Sequence, residues 1–141
     1  QRQAYRLVEL QRFSEHLQAP LNLKPKYFPV GGDDAARLII AADLALGSAA
    51  AMQVAGAVLS ACWAQERNIA DDKVLAELLA EQGLSAAVLE QSHSQAAQER
   101  YEAYTQQAID AGVFGAPSYV VEGEIFWGQD RLDFVERALG R

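Results

Sequence analysis

The stretch of sequence that decides the fold is GVFGAPSYVVEGEIFWGQDRL, residues 112–132. It holds two short apolar runs, 119–121 and 125–127, which flank a central glycine at position 123. Gly123 can adopt the positive φ that a tight hairpin turn needs. Because proline cannot donate a hydrogen bond to a sheet ladder, Pro117 is expected at the first residue of a strand or in a special turn. The stretch therefore predicts a two-stranded β-hairpin.

The residues on either side of the hairpin predict a cis peptide bond and a helix. An X-Pro bond is the one kind of peptide bond in which the cis form is readily accessible, and we expect it between Ala116 and Pro117. After the hairpin, Gly128-Gln129-Asp130 is expected to open a helix. That helix would carry Leu132, Val135 and Leu139 on one face. On these residues alone, an ordinary proline turn and a helix capped by Asp130 are the favoured explanation of the pattern.

The sequence ahead of this stretch predicts a succession of helices. Helical periodicity covers 4–17, 35–46, 49–67, 71–82 and 94–111, with a short helix after Ser85 and a proline-rich loop over 18–34. The interval 35–46 is apolar on nearly all sides, so it is expected to be buried. Cys62 lies among alanines and other apolar residues, which is typical of a small buried side chain rather than a nucleophile.

Composition excludes several classes of function. A net charge of −7 argues against nucleic-acid binding, which requires a basic face. The sequence has no signal peptide and no apolar span of about 18 residues, so we expect a cytoplasmic protein without a membrane partner. The single cysteine excludes a Cys-x-x-Cys pair within these residues. His16 and His93 lie far apart and have no second ligand at helical spacing, so no metal site is expected.

The start of the chain suggests that a part of the fold lies ahead of it. Residues 1–3 run without a capping residue directly into a helix whose apolar stripe is expected to face inward: Leu7, Leu10, Phe13 and Leu17. The only strand candidates are the two of the hairpin, and an isolated hairpin is marginally stable in water. We therefore expect that further strands of the sheet precede Gln1.

Two half-motifs of the deciding stretch, GVFGAPSY and FWGQDRL, resemble the C-terminal signature of the 2-hydroxychromene-2-carboxylate isomerases. These enzymes are close to the kappa-class glutathione transferases, within the DsbA-like thioredoxin superfamily. The resemblance spans essentially the whole chain. It implies an α/β, thioredoxin-like (DsbA-like) fold with an inserted all-helical subdomain. Residues 1–95 would form the helical insertion and residues 96–141 the C-terminal half of the thioredoxin-like domain, whereas the N-terminal β-α-β half would be missing.

The same resemblance implies a glutathione-dependent isomerase that acts in the degradation of aromatic compounds. Glutathione would pair with the backbone of Ala116, which a cis Pro117 exposes, in the manner of an added strand. Its γ-glutamyl end would lie at Gln129 and Asp130. Free N–H groups at a helix start suit a carboxylate, and the Asp130 carboxylate suits an ammonium group.

The resemblance also implies features that the chain does not contain. The catalytic serine or cysteine is expected before Gln1, so the chain alone is expected to be inactive. The implied partners are glutathione, a small aromatic substrate and a second copy in a homodimer. Three alternatives stay open: a kappa-type glutathione transferase, a DsbA-like thiol-disulfide oxidoreductase, and a non-enzymatic helical module for binding or dimerisation. A Ser-Pro motif ahead of Gln1 would favour the isomerase, and a Cys-x-x-Cys motif would favour the oxidoreductase.

Overall fold

The computed structural model describes residues 1–140 of the chain. In chain order the elements are α1 (Arg2–Leu17), α2 (Asp33–Leu46), α3 (Ser48–Trp63), α4 (Asp72–Glu81), α5 (Ala87–Ser92), α6 (Gln95–Asp110), β1 (Ser118–Val121), β2 (Glu124–Trp127) and α7 (Leu132–Ala138). The prediction of a mostly helical chain with a C-terminal hairpin and helix is confirmed. None of the helices in the described part is long and apolar enough to cross a membrane.

The chain forms two compact units that divide after Glu99. The predicted domains, 1–95 and 96–141, divide the chain into a helical insertion and the C-terminal half of a thioredoxin-like domain, and this assignment stays a prediction.

The core of the first unit lies where α2 packs against α3, α4 and α5. Its largest fully buried side chains are Leu38, Val54, Leu75, Leu78 and Leu79. Local signals set the ends of these helices. Gly47 takes a φ of 89°, which ends α2 directly before α3 begins. Asp71 caps α4 through a hydrogen bond that its side chain accepts from the Lys73 N–H at 2.9 Å.

Two predictions about apolar helix faces are only partly right. In α2 the buried residues lie between Ala35 and Ala42, but Leu44 and Leu46 in the last turn are exposed, because they lie outside the packing against the neighbouring helices. In α1 no residue is fully buried, and Leu17 is exposed although it was expected to point inward. The reason is that α1 makes no extensive contact with any other helix of the first unit.

The second unit contains the predicted hairpin. β1 and β2 are antiparallel, and the register pairs Ser118 with Trp127 and Val121 with Glu124. Glu122 and Gly123 connect them with φ values of 51° and 86°. Two consecutive positive φ values are the mark of a two-residue type I′ turn, so the predicted role of Gly123 is confirmed.

The last helix begins later than its sequence predicts. α7 starts at Leu132, Arg131 occupies the N-cap position, and Gln129 and Asp130 lie in the preceding turn. The predicted start at Gly128-Gln129-Asp130 is wrong, because Gly128 has a φ of 112°, which no helix accommodates. The alternative in which Asp130 caps the helix is wrong as well, since no side chain caps α7.

The packing of α7 also departs from its predicted face. The helix packs against both strands through Val135, which is buried. Leu132 and Leu139, which were expected beside it, are exposed.

Candidate functional site

The loop before β1 has the backbone geometry that the sequence predicts. The Ala116–Pro117 peptide bond is cis, as expected. The Ser118 hydroxyl donates a hydrogen bond of 2.6 Å to the carbonyl oxygen of Gly115, which ties the two ends of this turn together. Ala116 and Pro117 are exposed, and no hydrogen bond joins the Ala116 N–H or C=O to another residue in the described chain. Both backbone groups are thus available to an extended ligand.

A backbone hydrogen bond joins this loop to the turn before α7. The N–H of Gly128 donates to the carbonyl oxygen of Pro117 at 3.0 Å, which extends the hairpin one residue beyond the pair of Ser118 and Trp127. The hydrogen bond between Gly128 and Pro117 therefore brings together the two segments that were predicted to hold a ligand, Ala116-Pro117 and Gln129-Asp130.

Asp130 is the charged group of this corner. Its Oδ2 accepts a hydrogen bond from Nη1 of Arg131 at 2.6 Å, and both side chains are about half exposed. Its Oδ1 lies close to the Cα of Gly128, because a Cβ built there would be 2.8 Å from it. Gln129 is exposed, and its side chain has no hydrogen bond to any described residue. The turn thus presents a carboxylate and a neighbouring amide to solvent.

An exposed pair of aromatic rings lies beside the loop, and the sequence did not predict it. The rings of Phe114 and Trp127 pack edge to face with centroids 5.2 Å apart, although the two residues are 70% and 55% exposed. The indole of Trp127 lies directly against Gly115, where an added Cβ would be 2.7 Å from Nε1. Trp127 ends β2, and the loop before β1 brings Phe114 to its ring, a placement that the sequence pattern did not predict.

A second feature, in the first unit, is an apolar cavity of about 440 Å³. It is lined by Arg6, Leu10, Pro20, Leu21, Leu59, Ser60, Trp63 and Ala64. This cavity was not predicted from the sequence. The available signal was the spacing of one helical turn between Arg6 and Leu10 and between Leu59 and Trp63.

Cys62 is buried, as predicted for a small apolar side chain. Burial is the main cause that raises the pKa of its thiol above the ordinary value, and the nearby Glu66 carboxylate adds to the effect. A protonated, buried thiol is a poor nucleophile. Among residues 1–140, no group of three or more His, Cys, Asp or Glu side chains could hold a metal ion.

Comparison with known proteins agrees with this architecture. The sequence profile of the DSBA-like thioredoxin domain matches residues 1–140. A 2-hydroxychromene-2-carboxylate isomerase of Pseudomonas putida is 33% identical over 140 residues, which are 97% of this chain and 65% of that protein. The isomerase of Pseudomonas sp. (strain C18) is 34% identical over 143 residues, 96% of this chain and 62% of its own length.

A solved structure shows the same fold. The chain superimposes on a 2-hydroxychromene-2-carboxylate isomerase (HCCA isomerase) with a TM-score of 0.79 at 29% identity, covering 98% of this chain and 66% of the other. The chain therefore spans less than two thirds of the length of these relatives. The resemblance seen in the two half-motifs and the DsbA-like thioredoxin fold are confirmed. This chain belongs to the family of DSBA-like thioredoxin domains, and its named relatives are 2-hydroxychromene-2-carboxylate isomerases.

Proposed function

We propose that the chain is part of a glutathione-dependent isomerase of the 2-hydroxychromene-2-carboxylate type, which acts in the degradation of aromatic compounds. One observation carries the proposal beyond the names of the relatives. The hydrogen bond between Pro117 and Gly128 holds an unpaired backbone edge and an exposed acidic turn on the same corner of the second unit. A peptide with a charged amino-acid end group needs this combination.

The acidic turn would hold the γ-glutamyl end of glutathione. Its ammonium group pairs with the Asp130 carboxylate, and its carboxylate accepts hydrogen bonds from the Gln129 side-chain amide. The present partner of Asp130 is Arg131 in an ion pair whose members are both about half exposed. Such pairs contribute about 0–1 kcal/mol, so an incoming ammonium can share or replace Arg131 at little cost. With α7 beginning at Leu132, the support comes from side chains of the turn and not from a helix dipole.

The backbone edge would hold the middle of the tripeptide. The N–H and C=O of Ala116 pair with the cysteinyl residue as an additional strand would. The hydrogen bond from the Ser118 hydroxyl to the Gly115 carbonyl oxygen keeps the turn closed. The donors and acceptors present therefore fit glutathione as a cofactor.

When bound, glutathione supplies a thiolate that is strongly nucleophilic and also a good leaving group, which suits reversible addition to a conjugated carbon and rotation about the former double bond. The residues of this chain bind and orient the cofactor. The serine or cysteine that would stabilise the thiolate is proposed to lie in sequence ahead of Gln1, so residues 1–141 alone are expected to be inactive. The proposal includes a cytoplasmic homodimer.

Two other activities would use the same half-site. A kappa-type transferase would conjugate glutathione, and a DsbA-like oxidoreductase would exchange disulfides. The second is favoured by the DSBA-like profile but would need a Cys-x-x-Cys motif outside this chain, whose one cysteine is buried. A non-enzymatic helical module would not respond to glutathione at all.

The test is turnover by the full-length protein with and without glutathione. The proposal predicts that 2-hydroxychromene-2-carboxylate is isomerised only when glutathione is present and that glutathione is recovered unchanged. Consumption of glutathione into a conjugate would indicate a transferase, and reduction of a protein disulfide would indicate an oxidoreductase. Isomerisation at the same rate without glutathione would contradict the proposal.

A further inference from the structure

We infer that the apolar cavity of the first unit binds a small aromatic acid and that Arg6 holds its carboxylate. The cavity lies between α1, the following loop and the end of α3. The chemical class of the ligand follows from the lining. The further step, that this ligand is the substrate of the enzyme, rests on the proposed function.

The cavity has the size of a small-molecule site and walls that suit a flat aromatic ring. Its volume of about 440 Å³ lies within the range of about 300–1,000 Å³ that is typical of small-molecule sites. The walls include the aliphatic side chains of Leu10, Leu21 and Leu59 and the indole of Trp63. An indole face favours a flat, apolar partner, which it can contact by stacking or edge to face.

Two of the walls, the loop and the end of α3, are held together by contacts within the first unit. The backbone N–H of Asn22 donates to the carbonyl oxygen of Trp63 at 2.7 Å, and its side-chain amide donates to that of Ala64 at 3.3 Å. These bonds fix the loop to the end of α3. The ring of Phe28 packs against Trp63 with centroids 4.6 Å apart, which restricts the indole from a second side. The sides of the cavity that the loop and α3 supply are therefore fixed relative to each other.

Arg6 supplies the one charge in this lining. It is exposed and forms no ion pair with any carboxylate among residues 1–140. Ser60, the other lining residue with a polar side chain, already accepts a hydrogen bond from the Gln65 amide at 3.0 Å. A single guanidinium beside apolar walls favours a carboxylate, which it can bind through two parallel hydrogen bonds. It disfavours a cation and gives a neutral ring no added affinity.

The inference is tested with 2-naphthoate, a bicyclic aromatic acid, and 2-naphthamide, its neutral counterpart. Binding of both to the full-length protein is measured by isothermal titration calorimetry. The variant Arg6→Gln is expected to bind 2-naphthoate about tenfold more weakly, as the loss of a charge-assisted hydrogen bond implies, and 2-naphthamide as before. Arg6→Lys should retain a part of the preference for the acid. Arg12→Gln, a substitution of another exposed arginine on α1, is the matched control and should leave both affinities unchanged.

A second variant tests the walls. Leu59→Trp, which enlarges a largely exposed side chain at the mouth, is expected to weaken the binding of both probes several-fold. The inference is overturned if wild-type protein does not bind 2-naphthoate, or if Arg6→Gln and Arg12→Gln weaken it equally. A parallel titration with glutathione separates the two proposals. Naphthoate binding that depends on Arg6 supports the cavity even if glutathione fails to bind, whereas glutathione binding without naphthoate binding overturns the cavity alone.

Discussion

The backbone N–H of Gly128 donates a hydrogen bond of 3.0 Å to the carbonyl oxygen of Pro117. This bond closes the hairpin at its open end and places the turn before α7 beside the loop before β1. The same glycine lies against the Asp130 carboxylate and has a φ of 112°. Gly128 thus fixes both the backbone corner and the position of its acidic side chain.

We predict that Gly128→Ala destabilises the protein and displaces Asp130. A side chain at a φ of 112° costs about 1–3 kcal/mol, and the new methyl group would lie 2.8 Å from Oδ1 of Asp130. Urea denaturation should show a loss of this size in the free energy of unfolding. The matched control is Gly31→Ala, because a Cβ at Gly31 would meet nothing within 4 Å. Equal stabilities of the two variants would show that the corner does not require glycine.

Gly115 should be intolerant of a side chain for a different reason. A Cβ there would lie 2.7 Å from Nε1 of Trp127, so Gly115→Ala must displace the indole, and the loss of its aromatic contact with Phe114 should cost about 0.5–1.5 kcal/mol. The displacement should also separate Trp127 from Phe114 and change the tryptophan fluorescence.

A double-mutant cycle tests this contact. In a Trp127→Leu background, Gly115→Ala should cost less than in the wild type, because the clashing ring is gone. Additive losses of stability would show that the two residues do not interact.

Cys62 should resist thiol reagents as long as the protein is folded. Burial raises the pKa of its thiol, so the reactive thiolate stays scarce in the folded state even as the pH reaches the ordinary thiol pKa. We expect slow labelling by iodoacetamide in native protein and rapid labelling in urea, with Cys62 identified by mass spectrometry of its peptide. Rapid labelling of the native protein would mean that Cys62 is accessible.

The hairpin could be predicted from sequence because its signals are local. Gly123 and the two apolar runs determine the turn type and the register. The start of α7 could not be predicted, since Gln129 and Asp130 are suitable first-turn residues and only the backbone at Gly128 shows that they precede the helix. Helix periodicity predicted the extent of α1. It could not predict how exposed the apolar face of α1 is, because that depends on which elements pack against the helix.

The two candidate sites also differ in how far the sequence predicted them. Ala116, Pro117, Gln129 and Asp130 were selected because they belong to recognisable half-motifs, and the hydrogen bond from Gly128 to Pro117 joins the two segments. Their role in binding glutathione stays a prediction. The cavity beside Arg6 was missed because its walls come from α1, a loop and α3. No pattern of neighbouring residues specifies that those elements meet.

The most direct test of the central claim is a calorimetric titration of the full-length protein with glutathione. Asp130→Ala should weaken binding about tenfold, because the ammonium group loses its charged partner. Asp133→Ala, which removes another exposed carboxylate three residues later in α7, should leave the affinity unchanged. If Asp130→Ala binds glutathione as tightly as the wild type, or if both variants lose affinity equally, the acidic turn does not hold the γ-glutamyl group.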